Sequence, residues 1–314
     1  MTQREEYFIK EAMQSYPFSN PEMTFLRHNE NITCKVVDED QVYALRIHLP
    51  RDGFELKIFE PMDPITLLQS EMDLLSHIEK AALFPVQRPV QTKTGESVAI
   101  LDNEIPACLL HWLEGEPLNK ETAITSAYEI GQLAAKIHLA TQGFTGARLT
   151  YNSNTLGRMR NEMDVAFSRS HISLEQTKIC KDTLEFISSL MAKLDQEPDS
   201  VALLHADMGF GNLIQTKEGL APIDFSLSGY GYRAQECGMI ASNYQSKEQQ
   251  DAVSLGYFDE CGFEVPTLHR DSFLALSVLL FISCQHDRFF MEEWYPSAVE
   301  RWCTTLFLPL IKRS

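Results

Sequence analysis

The amino-acid sequence predicts an α+β fold with two lobes, a small antiparallel sheet carrying one helix and a larger, mainly helical part. Apolar and polar residues alternate with the period of a β-strand in the first third of the 314 residues, and apolar residues recur at helical spacing in the remainder. A segment rich in turn-forming residues, 114–122, separates the two regions. We therefore predict a first lobe over residues 1–112, a linker over 113–120 and a helical lobe over 121–314. A cleft between two lobes is a common place for a ligand.

The clearest strand of the first lobe is QVYALRIHL, residues 41–49. Successive side chains of a strand point to opposite faces of the sheet. Ala44 and Arg46 therefore share one face, and Leu45 and Ile47 share the other. A second strand is predicted over ACLLHWL, residues 107–113.

The segment PITLLQSEMDLLSHIEKA, residues 64–81, has the apolar periodicity of a helix. Glu71 lies on its apolar stripe, three residues after Leu68 and four before Leu75, whereas Asp73 lies on the polar face. A carboxylate on a buried stripe requires a counter-charge.

Two amphipathic helices are predicted in the second part, over residues 126–141 and 174–194, and one or two more after Asp271. The strand-rich exception is the segment 201–225. There NLIQT and LAPIDF flank the turn KEG, which is typical of a β-hairpin.

The composition excludes several classes of protein. Seven scattered cysteines without a C-x-x-C pair are typical of reduced thiols, and they predict a cytoplasmic location. No apolar run approaches the roughly 18 residues that cross a bilayer, and the first residues lack the apolar core of a signal peptide. We therefore expect no membrane partner.

The net charge of −17, from 27 basic and 44 acidic residues, also disfavours nucleic acid, which requires a basic surface. It favours a cationic substrate through long-range attraction, although solubility alone is an equally good reason for the charge.

The segment LLHADMGFGNLIQTKEGLAPIDF, residues 203–225, contains the polar residues that indicate chemistry. Asp207 stands in a loop, Asn212 begins the next strand, and Asp224 ends the partner strand of the hairpin. Asn212 and Asp224 are predicted to be neighbours across the open end of this hairpin. Mg²⁺ is bound by one or two oxygen ligands of this kind when phosphate oxygens and water complete its shell. Asp207 is then available to orient an attacking hydroxyl and accept its proton.

From about residue 29 to 244 the chain resembles the aminoglycoside phosphotransferase and choline kinase family, which has a protein-kinase-like fold. His205-x-Asp207-x-x-x-x-Asn212 resembles the family's catalytic loop, and Ile223-Asp224-Phe225 resembles its metal-binding strand end. The resemblance implies that Asp207 is the catalytic base and that Asn212 and Asp224 hold Mg²⁺. His205 is expected to hold the loop by hydrogen bonds. Glu236 stands where the family usually has Asp, and we assign it at most a helix-capping role.

The resemblance also implies a nucleotide site in the first lobe, for ATP, with GTP as an alternative. Ala44 and Arg46 correspond to the family's Ala-x-Lys, so Arg46, oriented by Glu71, would hold the α- and β-phosphates in place of the usual lysine. No G-x-G-x-x-G is present, and NENITCKV, residues 29–36, occupies the hairpin that would cover the phosphates. We expect Asn31 and Thr33 to contribute there. Backbone groups around His111 and Leu113 would bind adenine.

These features predict a small-molecule kinase that transfers the γ-phosphoryl group of ATP to a hydroxyl of an aminoglycoside, an amino alcohol or a hydroxy amino acid. The arrangement around YALRIHLP and SEMDLLSHI is most similar to the homoserine-kinase-like bacterial branch, whereas the acidic balance favours an amine-bearing acceptor. The helical segment of about 150–200 and the C-terminal helices are expected to line the acceptor pocket. Acids such as Asp287 would hold an ammonium group, and Arg158 or Arg160 would favour a carboxylate.

Two alternatives stay open from the sequence. One is a protein serine/threonine kinase of the same fold, although no activation segment with an A-P-E-like end follows Asp224. The other is a nucleotide-binding regulator without turnover. The motif does not indicate an oligomeric state.

Overall fold

The structure, a computed structural model, describes residues 1–29, 31–50, 58–197 and 199–313. Its first part is an N-terminal helix followed by an antiparallel sheet with strand order β1-β2-β3-β6-β4, in which β5 also pairs with β6. The elements of this part are α1 (Gln3–Ser15), β1 (Pro21–His28), β2 (Ile32–Asp38), β3 (Gln41–Ile47), α2 (Pro64–Ala81), β4 (Pro89–Val90), β5 (Ala99–Leu101) and β6 (Ile105–His111).

The two faces of the sheet pack against different cores. Leu45 and Ile47 of β3 point into a core that they share with Phe8 and Ala12 of α1. Helix α1 was not predicted, although its signal is present in the sequence. Thr2 and Glu5 form a capping box, in which each side chain binds the backbone N–H of the other residue.

The opposite face of β3 points toward α2. Ala44 belongs to a second core that includes Leu68, Met72 and Leu75 of α2 and continues among the C-terminal helices. Helix α2 covers the predicted residues and starts at the cap Asp63, whose carboxylate accepts a hydrogen bond from the Thr66 N–H.

The chain leaves β6 through a short linker and then becomes mainly helical, as the sequence predicts. Helix α6 has the predicted bounds. The elements of this part are β7 (Glu116–Pro117), α3 (Lys120–Thr125), α4 (Ala127–Ala140), β8 (Leu149–Thr150), α5 (Ser153–Ser168), α6 (Leu174–Leu194), β9 (Val201–Leu204), β10 (Leu213–Thr216), β11 (Gly219–Pro222), β12 (Gly229–Tyr232), α7 (Arg233–Ala241), α8 (Lys247–Cys261), α9 (Thr267–Phe289), α10 (Trp294–Trp302) and α11 (Leu308–Ile311).

Two small sheets hold the segment that contains the motif. β10 and β11 form the predicted hairpin, and the linker strand β7 adds to the outer edge of β10. β12 pairs with β8 and with β9, so the chain before the catalytic loop is paired with the chain that follows Asp224. The polar loop and the hairpin are thereby held side by side.

Helix α9 is long and apolar enough to cross a membrane by length and composition, with a mean hydropathy of 1.3 over its apolar window, and it is the one such helix within the described residues. The helix has no uninterrupted apolar run of the length that crosses a bilayer, so it was not predicted as such a segment. Half of this window is buried inside the fold, where Phe273, Leu276 and Leu279 join the main core. In this fold α9 therefore packs as a core helix.

Candidate active site

The predicted phosphate loop and the catalytic motif meet at one cavity of about 110 Å³. The tip of the β1–β2 hairpin lies on one side, and the loop and hairpin of the motif lie on the other. The cavity is lined by Arg27, Asn29, Asn31, Thr33, Asp207, Asn212 and Asp224. The structure thus brings together polar residues that are almost 200 positions apart in the sequence.

Arg46 is buried beside this cavity and contacts two carboxylates. Its Nη1 donates to Glu71 Oε1 at 2.7 Å, and its Nη2 donates to Asp224 Oδ1 at 3.0 Å. The predicted contact with Glu71 is present, and Asp73 is exposed. Burial opposes the positive charge, yet Asp224 and Glu71 hold the pKa of the Arg46 guanidinium above its ordinary value.

Asp224 follows the last strand of the hairpin in a left-handed conformation, with φ of 66°. Its Oδ1 also accepts a hydrogen bond from the Ser226 hydroxyl, and Arg27 lies 3.8 Å from its Oδ2. Burial raises the pKa of a carboxyl, but Arg46 and Ser226 outweigh it and lower the pKa of Asp224 to about 2. Asp224 is therefore ionised at neutral pH.

Asn212 and Asp224 were predicted to be neighbours across the open end of the hairpin. In the structure the residue that pairs with Asn212 is Ile223, one position before Asp224. The Ile223 N–H donates to the Asn212 carbonyl at 2.9 Å, so Asp224 follows the residue that pairs with Asn212. The amide nitrogen of Asn212 donates to Asp207, both to the carbonyl at 3.0 Å and to Oδ2 at 2.7 Å. This pair of bonds directs the amide nitrogen toward Asp207 and leaves the amide oxygen of Asn212 for another partner.

His205 holds the catalytic loop through both ring nitrogens, as expected. Nδ1 accepts a hydrogen bond from the Asp207 N–H at 3.2 Å, so Nε2 carries the proton and donates to the Ile223 carbonyl at 3.1 Å. Burial lowers the pKa of His205. The ring is therefore neutral, because a proton on Nδ1 would remove the acceptor that the Asp207 N–H requires.

Glu236 binds the same loop, which the sequence analysis did not anticipate. This buried residue of α7 accepts hydrogen bonds from the backbone N–H of His205 at 2.6 Å and of Ala206 at 3.1 Å. Ala206 has a left-handed φ of 63°, which places the two N–H groups side by side. Burial raises the pKa of a carboxyl, but His138 and His205 outweigh it and lower the pKa of Glu236. Glu236 thus positions the loop rather than capping its own helix.

Arg148 is a second positioning residue that sequence reasoning missed. Its buried guanidinium donates to the carbonyls of Phe225, Ser226 and Ser228, all within the segment that follows Asp224. It also donates to Leu67 of α2 at 3.0 Å. Arg148 therefore ties the chain after Asp224 to the helix that carries Glu71.

The residues predicted to contact adenine lie at the end of the large sheet. Ala44 is buried opposite Leu110, and His111 packs against Tyr43. The N–H of His111 donates to the Arg88 carbonyl, and the N–H of Trp112 donates to the Val42 carbonyl. These two donors are used within the sheet. Among the described residues, the N–H of Leu113 has no such backbone partner.

A second cavity, of about 270 Å³, lies on the other side of Asp207. It is bounded by the catalytic loop, the end of α7 and the middle of α9, and Asp207 lines both cavities. Its other lining residues are Ala206, Met208, Gly209, Leu227, Met239, Ser242, Asn243, Ser277, Leu280, Phe281, Cys284 and Gln285. None of these residues belongs to the segment 150–200, and five of them lie on α9.

Comparison with known proteins agrees with this arrangement. The family model described as the phosphotransferase enzyme family (APH) matches residues 24–272. Amicoumacin kinase of Bacillus subtilis (strain 168) is 23% identical over 245 residues, which cover 76% of this chain and 68% of that protein.

Two solved structures show the same fold. A microcompartment-associated aminopropanol kinase superposes with a TM-score of 0.75 at 20% identity, covering 97% of this chain and 99% of the other. The amicoumacin kinase hAmiN, in complex with AMP-PNP, Ca²⁺ and Ami, superposes with a TM-score of 0.73 at 18% identity, covering 99% and 94%. The fold is therefore protein-kinase-like, and the chain belongs to the phosphotransferase enzyme family.

Proposed function

We propose that this protein transfers the γ-phosphoryl group of ATP to a hydroxyl of a small molecule, with Asp207 as the catalytic base. The observation that carries the proposal is the position of Asp207, which lines both the polar cavity and the second cavity. A base for phosphoryl transfer must contact the acceptor hydroxyl while the phosphate lies within reach. One carboxylate between two cavities meets this requirement.

The polar cavity is the proposed site of the phosphates. Arg46, oriented by Glu71, would neutralise the α- and β-phosphates, and Asn31 and Thr33 would contact phosphate oxygens from the hairpin tip. Arg27, which also lines the cavity and lies 3.8 Å from Asp224, is an additional cation there. Adenine would lie under Ala44 and bind backbone groups at His111 and Leu113.

Asn212 and Asp224 are the proposed ligands of Mg²⁺. Both residues line the same cavity, and Asp224 is ionised, which suits a hard cation. The hydrogen bonds from the Asn212 amide nitrogen to Asp207 leave the amide oxygen of Asn212 available as a ligand. Mg²⁺, when bound there, would neutralise charge on the phosphates.

In the proposed reaction, the acceptor oxygen forms a bond to the γ-phosphorus while the bond from the γ-phosphorus to the bridging oxygen breaks. ADP carries away the electron pair of that bond, and Asp207 accepts the proton of the hydroxyl. A positioned base of this kind contributes about 10²–10⁴ to the rate. Glu236 and His205 would hold the Asp207 backbone in place through this step.

The second cavity is the proposed acceptor site. Among the described residues, its lining contains one carboxylate, Asp207, and no lysine or arginine. Hydroxyl and amide groups of Ser242, Asn243, Ser277 and Gln285 would orient polar groups of the acceptor, and Asp207 itself would attract an amine. Asp287 and the two arginines expected to bind the acceptor have other partners. Asp287 pairs with Arg169, Arg158 with Glu60 and Arg160 with Glu185.

The proposal is tested by Mg²⁺-dependent ATP consumption over a panel of amino alcohols, aminoglycosides and hydroxy amino acids, including choline and homoserine, with casein as the protein acceptor. We expect turnover with at least one small alcohol. Asp207→Asn should retain ATP binding and lose turnover by about 10²–10⁴-fold, whereas Asp182→Asn, at an exposed position of α6, should be unaffected.

Other outcomes contradict the proposal. Phosphorylation of casein alone would indicate a protein kinase, and tight Mg·ATP binding without turnover on any acceptor would indicate a regulator. Wild-type turnover by the Asp207→Asn variant would show that Asp207 is not the base.

A further inference from the structure

Three side chains that could ligate a metal converge away from both cavities. His171 lies in the turn between α5 and α6, and His286 and Asp287 lie near the end of α9. They form the one group of at least three His, Cys, Asp or Glu side chains with clustered ligand atoms within the described residues. None of them lines the polar cavity or the acceptor cavity.

Two of the three distances in this group are longer than ordinary hydrogen bonds and match a metal site. The Nδ1 atoms of His171 and His286 are 2.9 Å apart, and Asp287 Oδ1 lies 3.4 Å from each of them. A distance of 3.4 Å exceeds an ordinary N–H···O hydrogen bond. Metal–ligand distances of about 2.0–2.1 Å place two donors of a tetrahedral Zn²⁺ site about 3.3–3.4 Å apart. The two distances from Asp287 Oδ1 to the Nδ1 atoms therefore equal the spacing of donors in a tetrahedral site. The distance between the two Nδ1 atoms would lengthen by about 0.4 Å on metal binding.

The surrounding residues hold the three side chains in this orientation. The ring of His171 stacks on Phe290, with centroids 3.9 Å apart. Asp287 Oδ2 accepts a hydrogen bond from Arg169, which directs Oδ1 toward the two rings. Glu162 Oε2 lies 3.5 Å from Nε2 of His286, the nitrogen on the far side of that ring. On metal binding, the Glu162 carboxylate would move to hydrogen-bond distance and act as the outer partner of the His286 imidazole.

We propose that His171, His286 and Asp287 form a binding site for Zn²⁺ or a similar divalent transition metal. Two neutral imidazoles and one carboxylate are ligands that Zn²⁺ accepts, and a water would complete the tetrahedron. The metal would join the turn between α5 and α6 to α9. Because Cys284 and Gln285 of α9 line the acceptor cavity, the metal would also stabilise one wall of that cavity.

Zn²⁺ binding to the chelator-treated full-length protein, measured by equilibrium dialysis in excess Mg²⁺, tests this proposal without reference to catalysis. The excess Mg²⁺ competes at the oxygen ligands of the polar cavity. We expect one tightly bound Zn²⁺ per chain and a Zn²⁺-dependent rise in the melting temperature. Loss of an outer partner costs about 10–100-fold in metal affinity, so Glu162→Gln should fall in this range and His286→Gln should lose at least about 100-fold.

The matched control is His269→Gln, since His269 lies on the same helix and outside the cluster. It should bind Zn²⁺ like the wild type. Asp287→Asn provides a second ligand variant at a position where the side chain is 44% exposed, so the test does not depend on the folding of the His286 variant. Absence of Zn²⁺ binding by the wild type, or equal affinity in the wild type and Asp287→Asn, would overturn the proposal.

Discussion

Arg46 illustrates at the scale of one residue how a single side chain organises the site. One guanidinium reaches Glu71 through Nη1 in a buried contact and Asp224 through Nη2 in a partly buried one. A lysine has a single ammonium group on a flexible stem, which cannot reproduce this planar fork. The neighbours of Arg46 are therefore arranged for arginine.

Replacing Arg46 by lysine should lower kcat/KM for ATP although lysine keeps the positive charge. One charge-assisted hydrogen bond, worth about 1.5–3 kcal/mol, is lost, which corresponds to about 10–100-fold. Arg88→Lys is the control, because Arg88 is exposed and lies 3.8 Å from Glu79. Full activity of Arg46→Lys would mean that the double contact is not needed for nucleotide binding or turnover.

His48 predicts a pH dependence of stability. Burial, together with the cations Arg46 and Arg148, lowers the pKa of His48 to about 3, and its Nε2 is buried without a hydrogen-bond partner among the described residues. In the unfolded chain the pKa is about 6.5. Between these values the unfolded state binds a proton that the folded state does not bind, so stability falls as the pH falls below 6.5.

The contribution of His48 is measurable by urea unfolding at pH 7.5 and pH 5. One such histidine costs about 2 kcal/mol between pH 6.5 and pH 5. His48→Gln should reduce the loss of unfolding free energy on acidification by about that amount. An identical loss in the wild type and the variant would contradict the assignment of a depressed pKa to His48.

At the scale of elements, α7 determines the shape of the catalytic loop. Glu236 on this helix accepts from two successive N–H groups of the loop, and Ala206 takes a left-handed conformation between His205 and Asp207. A glutamine at position 236 would offer one acceptor oxygen to two donors, the backbone N–H groups of His205 and Ala206. The orientation of Asp207 should therefore depend on the charge of Glu236.

Glu236→Gln should lower kcat by at least about tenfold and destabilise the fold by about 1–3 kcal/mol, the cost of a buried N–H without an acceptor. The KM for ATP should change little, because Glu236 does not line the polar cavity. Steady-state kinetics and urea unfolding measure the two effects, and Glu175→Gln at an exposed position of α6 is the control. A rise in the ATP KM without a fall in kcat would contradict a role in positioning Asp207.

The elements differ in how well the sequence predicts them. Helices α2 and α6 and the β10–β11 hairpin carry regular apolar periodicity or a turn signal. Periodicity also places Glu71 on the buried stripe of α2, whereas its pairing with Arg46 is implied by the resemblance to the family. Glu236 and Arg148 escaped sequence reasoning because their partners are backbone groups, which carry no sequence pattern. Their contacts become visible only when α7 and the segment after Asp224 are packed against the loop.

At the scale of the whole molecule, the two cores explain why the cleft residues converge. The core beneath α1 fixes the outer face of the sheet, whereas Ala44 and Cys108 on the inner face join the core that continues into the C-terminal helices. The cleft side of β3 is thereby held against α2 and the motif. Placement of the acceptor cavity depended on how α7 and α9 pack, which periodicity within each helix does not specify.

The central claim is that one cation bound by Asn212 and Asp224 presents a nucleotide phosphate to an alcohol held by Asp207. A crystal structure with Mn²⁺ and a non-hydrolysable ATP analogue tests it most directly, because anomalous scattering locates the metal. We predict a metal peak in contact with the side-chain oxygens of Asn212 and Asp224 and a terminal phosphate facing Asp207. A metal bound elsewhere, or an analogue outside the polar cavity, would contradict the account.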